Sequence, residues 1–439
     1  MNRRTVLKSG LSLAGALCLP PWFAEEAFAN GLPEEPQSPN DKPGILLVGC
    51  GGMGRGDARK AAKFGNIVAV CDVDSNRLGE AGNEFKAEGK YGDFRKAVAH
   101  KGVDVVINGT PDHWHTLINI HALRAGKDVY SEKPLTLTID EGRKLVAVAR
   151  ETKRILQTGS QQRSDARFRL ACELVRNGRI GKLQQIVTTL PTGLVGGPFE
   201  PKPVPPELDW DFWLGQAPLV EYVPERSHVK FRFWYDYSGG TLTDWGAHHV
   251  DIAQWGNGTE RSGPISVEGK VLESPVPGGY TAVAHFQLEY QYANGVRLLC
   301  KNVVHETFTG GTVSELKKTD ERNGVRFEGT DGWIFVTRGA IAASQPELLS
   351  QELPAGAPRL YASSDHMGNF FECVRSRKPA ICEPEIGHRS VSVCHLGAIA
   401  LRTGRKLSWD PERETFVGDA EANGYVAREM RKPWSYESV

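Results

Sequence analysis

Residues 44–72 read GILLVGCGGMGRGDARKAAKFGNIVAVCD. The apolar run Ile45-Leu46-Leu47-Val48 stops at Gly49-Cys50-Gly51-Gly52-Met53-Gly54, an amphipathic segment follows, and a second apolar run, Ile67 to Val70, leads to Asp72. This is the order strand, glycine turn, helix, strand. Each glycine has its own duty: Gly49 permits the tight turn, Gly51 lets bare backbone approach a pyrophosphate, and Gly54 lets the helix pack close on its strand. Gly52 and Met53 belong to the same turn, at a helix N-terminus whose unpaired N–H groups and positive dipole end favour an anion. Asp72 stands eighteen residues after Gly54, near the place where a carboxylate takes the ribose 2′-hydroxyl of a dinucleotide. It would repel a 2′-phosphate, so the expected cofactor is NAD. The alternative is an ordinary tight turn in an α/β protein that holds no cofactor. The strand, the helix and the acid at matching distances speak against it.

The same rhythm continues outward. A polar helix from Asn76 to Glu88 and a short one over Phe94 to Ala99 precede the strand Val103 to Asn108. Thr110-Pro111-Asp112-His113-Trp114-His115 opens a helix running to Ala125, Asp128-Val129-Tyr130 is the next strand, and Glu132-Lys133-Pro134 follows it. Ile139 to Glu151 has helical spacing, and Ile155 to Thr158 is a further strand. Strands alternating with helices imply a doubly wound parallel sheet whose ligands gather at the strands' carboxyl ends. Gly51, Asp72, Thr110 and Lys133 all occupy such ends. Beyond Gln161 the pattern changes: a helix over Ala166 to Asn177, strand character from Leu183 to Leu190, and a proline-rich stretch from Pro198 to Pro206. Alternating segments over Tyr280 to Tyr292, Val296 to Val304 and Gly332 to Thr337 suit an antiparallel or mixed sheet. Helices are expected over Asp365 to Arg375 and Ile386 to Thr403.

At 439 residues, with 40% apolar and 24% charged residues, the chain suits two globular domains. Lysine plus arginine equals aspartate plus glutamate, 53 each, so charge points to neither nucleic acid nor an acidic membrane surface. The partner expected is a small molecule. At the N-terminus, Asn2-Arg3-Arg4-Thr5-Val6-Leu7-Lys8, an apolar run from Leu11 to Leu19 and Ala27-Phe28-Ala29 resemble a twin-arginine export signal with its cleavage site. The run is too short for a stable bilayer anchor, and Leu17 is too large for the residue before a lipoprotein cysteine at Cys18. An amphipathic helix with an accidental Arg-Arg is the alternative. The division expected is a signal over 1–29, a flexible lead-in over 30–42, a nucleotide-binding domain over 43–161 and a substrate-binding α+β domain over 162–439. C-terminal helices could pack back on the first domain. Export would place the protein in the periplasm or beyond, carried already folded. Without Cys18, seven of the eight cysteines remain. Free buried thiols are expected, Cys373 with Cys382 being the one pair of interest.

By its GCGGMG turn, its TPDHWH segment, its EKP tripeptide and the run Gly239-Gly240-Thr241-Leu242-Thr243-Asp244-Trp245-Gly246-Ala247-His248-His249-Val250-Asp251, in this order, the chain resembles the Gfo/Idh/MocA oxidoreductases. The resemblance implies a Rossmann domain followed by a domain on a large, mainly antiparallel sheet whose outer face often forms homo-oligomer contacts. It also implies that Lys133, Asp244 and His248 handle substrate and proton, and that the TPDHWH segment borders the nicotinamide end of the cofactor. The residues themselves support this. Lys133 at a strand's carboxyl end can stabilise alkoxide character as hydride leaves carbon. Asp244 and His248 are four apart and share a helix face, and histidine titrates near neutrality, which suits a proton acceptor. His249 would point about 100° away, following the helical period. A loop lysine, a helix N-cap aspartate and a core histidine are the plain alternatives. The cofactor set is Gly49, Gly51, Gly52, Met53, Gly54, Asp72, Thr110, Pro111, His115, Glu132 and Lys133. No metal is expected, since His113 and His115 come without a carboxylate or thiol cluster. Trp210, Trp213, Trp234 and Tyr235 could stack on a sugar ring or simply fill the core.

The reading is therefore an NAD-dependent oxidoreductase for a secondary alcohol of a sugar or polyol, with Lys133 or His248 as base. An exported enzyme has no obvious supply of oxidant, so its cofactor should be held tightly and reset on site. Reduction of a second sugar does this. So does a redox-neutral cycle of oxidation, elimination and re-reduction that hydrolyses a glycoside, which the family includes. A non-enzymatic sugar or nucleotide binder is the third possibility.

Overall fold

A computed structural model describes residues 19–24, 42–302 and 323–437. The first sheet holds six parallel strands: β1 (Gly44–Val48), β2 (Asn66–Cys71), β3 (Gly89–Tyr91), β4 (Val105–Asn108), β5 (Asp128–Ser131) and β6 (Leu156–Thr158). Their order is β3-β2-β1-β4-β5-β6. The chain switches direction across the sheet between β1 and β4, and a crevice opens beyond that point. β1, β4 and β5 are buried along their whole length, as strands covered by helices on both faces must be. β3 is absent from the sequence reading. Its three residues, Gly89-Lys90-Tyr91, carry no apolar pattern and pair only with β2 at the sheet edge.

Among the described residues the second sheet has nine strands: β7 (Leu183–Leu190), β8 (Ser266–Glu273), β9 (His285–Gln291), β10 (Arg297–Asn302), β11 (Gly324–Gly329), β12 (Trp333–Thr337), β13 (Ala340–Ala343), β14 (Leu407–Asp410) and β15 (Thr415–Phe416). They run in the order β13-β12-β11-β7-β10-β9-β8-β14-β15, antiparallel except for β7 beside β10. In β9, Phe286, Leu288 and Tyr290 are buried on one face while Gln287 and Glu289 turn to the other. Helices Ala166–Arg176, Gly246–Asn257 and Pro384–Thr403 cover the apolar face.

Helices and a buried ion pair join the two halves. Helix His366–Ser376 returns to the first sheet, where Phe371 stacks on Phe64 at 5.2 Å and Gln157 donates to the His366 carbonyl at 2.7 Å. Pro384–Thr403 packs along Ile139–Thr152. Just after β6, Arg163 donates from Nε and Nη2, along one edge of its guanidinium, to Asp251, at 2.7 and 2.8 Å, and Ser390 completes that carboxylate at 2.6 Å. Arg163 and Asp251 are both fully buried, so the paired hydrogen bonds offset a large desolvation cost.

All seven described cysteines are free and buried, Cys373 and Cys382 included. Of the leader expected over 1–29, only residues 19–24 are described; the twin arginine, Cys18 and Ala27-Phe28-Ala29 lie outside the described residues. Phe23 is buried in the core of the second domain, under the guanidinium of Arg169. The lead-in over 30–42 also lies outside the described residues, except Lys42. None of the described helices is long and apolar enough to cross a membrane.

Candidate active site

A cavity of about 620 Å³ runs from the glycine turn and Asp72 to Lys133, Asp244 and His248. At its first end three backbones nest. Gly49 has φ +87°, and a methyl group there would lie 2.6 Å from the Gly109 carbonyl carbon. One on Gly54 would lie 2.0 Å from the Gly49 oxygen, and one on Gly109 would lie 2.6 Å from the Gly54 Cα. Helix Gly52–Ala61 therefore starts flush against β1. Its first turn is open: Gly52 faces nothing within 4 Å, and the neighbour at Gly51 is the Arg77 guanidinium. Asp72 accepts from the Cys50 N–H at 2.7 Å and from the Asp74 N–H at 2.9 Å. The acid thus fixes the glycine turn besides facing the cavity. Burial raises its carboxyl above the usual range, and these two N–H bonds pull the other way. An open anion cradle with an acid at the next strand end fits NAD. Arg77 was not found in the sequence because its approach to Gly51 depends on where helix Ser75–Phe85 lies.

At the other end, Lys133 donates to the carboxylate of Asp244 and, at 3.1 Å, to its main-chain oxygen. Arg232 approaches the same carboxylate at 3.6 Å. Burial drives the Asp244 carboxyl upward, but Lys133 and then Arg232 outweigh it and hold the group below the ordinary carboxylate range. Asp244 ends the short helix Thr241–Asp244, and His248 lies in the first turn of Gly246–Asn257. Trp245 between them is helical, and its carbonyl accepts from His248 and His249, so the two side chains still share a face. His248 is buried, and its Nδ1 has no partner among the described residues. Burial, followed by Lys133 and Arg338, pushes its pKa well below the usual value, so the ring is neutral at pH 7. His249 turns away and bonds Asn323 at 2.7 Å.

Gly49, Gly51, Gly52, Met53, Asp72, Thr110, Pro111, Glu132 and Lys133 line the cavity, whereas Gly54 and His115 stand behind it. The His115 ring lies between the Pro134 carbonyl, at 2.7 Å, and the Thr110 carbonyl, at 2.9 Å, and so joins the two strand-end loops. His113 is buried against the Trp213 carbonyl. Of the four aromatics considered for sugar stacking, only Trp213 borders this cavity. Trp210 stacks on Trp213 in the core, Arg226 covers Trp234, and Tyr235 packs against Arg402.

Asp112 is a titratable group that the sequence reading passed over. It lines the cavity, it is buried, and Ser238 donates to it at 2.5 Å. Burial raises its pKa to about 7, against the pull of the Ser238 hydroxyl and of Arg232. The folded chain thus holds this proton more tightly than the unfolded chain. Its stabilising effect is complete below the ordinary 3.8 and is lost as pH rises through about 7. Thermal melts from pH 5 to 8.5 are expected to show stability falling up to about pH 7 and level above it. Asp112→Asn should remove that decline, and an unchanged pH dependence would disprove the assignment.

Two family models match the chain. The oxidoreductase family's NAD-binding Rossmann fold covers residues 44–160, and its C-terminal alpha/beta domain covers residues 195–436. The chain belongs to the Gfo/Idh/MocA oxidoreductase family. It is 24% identical over 380 residues to the scyllo-inositol 2-dehydrogenase (NAD(+)) of Bacillus subtilis strain 168, spanning 84% of this chain and 96% of that one. The WlbA dehydrogenase from Bordetella pertussis, solved with NADH and UDP-GlcNAcA, superposes with a TM-score of 0.61 at 17% identity, over 84% of this chain and 99% of its own. The aldose-aldose oxidoreductase from Caulobacter crescentus, complexed with glycerol, gives 0.60 at 19% identity, over 84% and 99%. These two comparisons establish a shared fold.

Proposed function

We propose that this family member oxidises a secondary alcohol of a sugar, polyol or glycoside through NAD held in the cleft. One observation carries the reading: the cavity that begins at the open glycine cradle ends where Lys133, Asp244 and His248 converge. The Gly51–Met53 turn would hold the diphosphate and Asp72 a ribose hydroxyl. When bound, NAD supplies the hydride acceptor. Asp244 holds the Lys133 ammonium toward the cavity, where it polarises the substrate oxygen and stabilises alkoxide character. His248, kept neutral by burial and by its cationic neighbours, lines the cavity as an acceptor for the hydroxyl proton. The apolar wall of Trp213, Phe231 and Phe233 suits the C–H face of a sugar ring. The inositol and aldose substrates named for its relatives belong to the same chemical class.

The test uses the purified holoprotein with a panel of sugars, polyols and glycosides, products being read by mass spectrometry. An oxidised sugar supports the dehydrogenase. A released aglycone with no net NADH replaces it by the hydrolytic cycle, and no turnover on any substrate replaces it by a binding protein. We also propose export by the twin-arginine route. Intact mass of protein from the periplasmic fraction checks it, since cleavage after Ala29 would remove Phe23 from its place under Arg169.

A further inference from the structure

The substrate end of the cavity carries more positive than negative charge. Lys133, Arg232 and Arg338 all line it. One carboxylate, Asp244, serves the first two, meeting Lys133 directly and Arg232 at 3.6 Å. Glu132 also lines the cavity, yet burial raises its carboxyl well above the ordinary range and keeps its proton in place at neutral pH. Burial likewise raises Asp112 to about 7, so that acid is only partly ionised there.

Arg338 is the cation left without an acid. It stands in the turn between β12 and β13 and lies over the indole of Trp245, its guanidinium 4.8 Å from the ring centroid. The buried amide of Gln162 fixes it from the side: the amide nitrogen donates to the His248 carbonyl at 3.0 Å, and the amide oxygen accepts from Nε of Arg338 at 3.2 Å. The carboxylates nearby are committed elsewhere, Asp244 to Lys133 and Asp165 to Arg167 at 2.6 Å. Among the described residues nothing accepts from the two terminal nitrogens of Arg338, and the side chain is open to solvent. A free surface arginine samples many rotamers. This one is held by its face and by one edge, with its remaining donors unspent.

We propose that Arg338 receives a carboxylate of the substrate, so that the molecule oxidised here is a sugar acid. The proposal rests on the oxidoreductase reading above and narrows its substrate class. The paired terminal N–H groups of a guanidinium match both oxygens of a planar carboxylate, and a guanidinium stays charged at any physiological pH. One amide and two hydrogen bonds separate Arg338 from the backbone of His248, which puts the acid group and the reacting carbinol on one small molecule. The added negative charge also reduces the surplus that Lys133, Arg232 and Arg338 leave around Asp244.

The test compares D-glucuronate and D-galacturonate with D-glucose and D-galactose, and with glucose 6-phosphate, on the NAD-loaded protein. Binding is read by titration calorimetry and oxidation separately, by the absorbance of reduced nicotinamide. Wild type is expected to bind a uronate about tenfold or more tightly than its neutral partner, and Arg338→Gln should cut that preference about tenfold to a hundredfold, the range for losing a hydrogen bond to a charged group. The change should fall on Kd and KM more than on kcat. Arg338→Lys should lie between, since it keeps the charge and loses the fork. The wild-type comparison needs no variant and stands if either variant folds poorly. Equal affinity for acids and neutral sugars, no binding of a uronate, or a preference untouched by Arg338→Gln overturns the carboxylate site, and tighter binding of the sugar phosphate replaces it with a phosphate site. Oxidation of neutral sugars alone overturns this inference and leaves the oxidoreductase reading intact. Uronate held through Arg338 but never oxidised does the reverse.

Discussion

Lys133→Ala is expected to lower kcat by about a thousandfold, the range seen when one preorganised donor to a developing oxyanion is removed, while bound NAD stays in place. In the resting site this ammonium makes two contacts with Asp244, and Arg232 lies farther out at 3.6 Å. Removing Lys133 takes away the largest charge that holds the Asp244 carboxyl down against burial, so that carboxyl should also rise in pKa. Lys133→Arg is not a conservative rescue, because a planar fork cannot replace a compact charge in that gap. Single-turnover reduction of bound NAD, read by its absorbance, separates loss of chemistry from loss of cofactor. Full activity in Lys133→Ala would remove the lysine from the chemistry altogether.

Gly54→Ala carries the second large expectation: a loss of about 3 kcal/mol of stability, at the upper end for inserting a methyl group into a closed contact, with loss of NAD binding. The added carbon would sit 2.0 Å from the Gly49 oxygen, and that atom is backbone in a turn with φ +87°. Neither side can yield without lifting the helix from β1. Gly52→Ala is the control. Nothing lies within 4 Å of its new methyl group, so the fold should keep its stability to within about 1 kcal/mol. Any loss of nucleotide there reports obstruction of the cradle alone. Chemical denaturation and a count of bound NAD on both variants decide the point, and equal stability of the two would contradict the packing argument.

What could be read from the sequence was local. The glycine turn, Asp72 and the strand-end positions of Thr110 and Lys133 follow from strand and helix periods a few residues long. The convergence of Lys133 with Asp244 did not follow from any period, and came only through the resemblance. Asp112 was quoted within TPDHWH yet not seen as a group of its own, because its environment comes from Ser238, 126 residues away in the chain. Arg77, Arg232 and Arg338 were missed for the same reason: each reaches the cavity from an element whose placement only tertiary packing sets. His115 was grouped with the cofactor contacts, and the structure puts it behind Thr110 and Pro134 as a brace.

The fork of Arg163 on Asp251 has a consequence for altering substrate preference. It rivets the helix bearing His248 to the short turn that follows β6, so that helix cannot be shifted or tilted without exposing two buried charges. Retargeting the enzyme to a bulkier ligand must therefore leave that helix alone. The room has to come from elsewhere in the lining, where Val229, exposed to solvent, is the residue that can be changed at small cost.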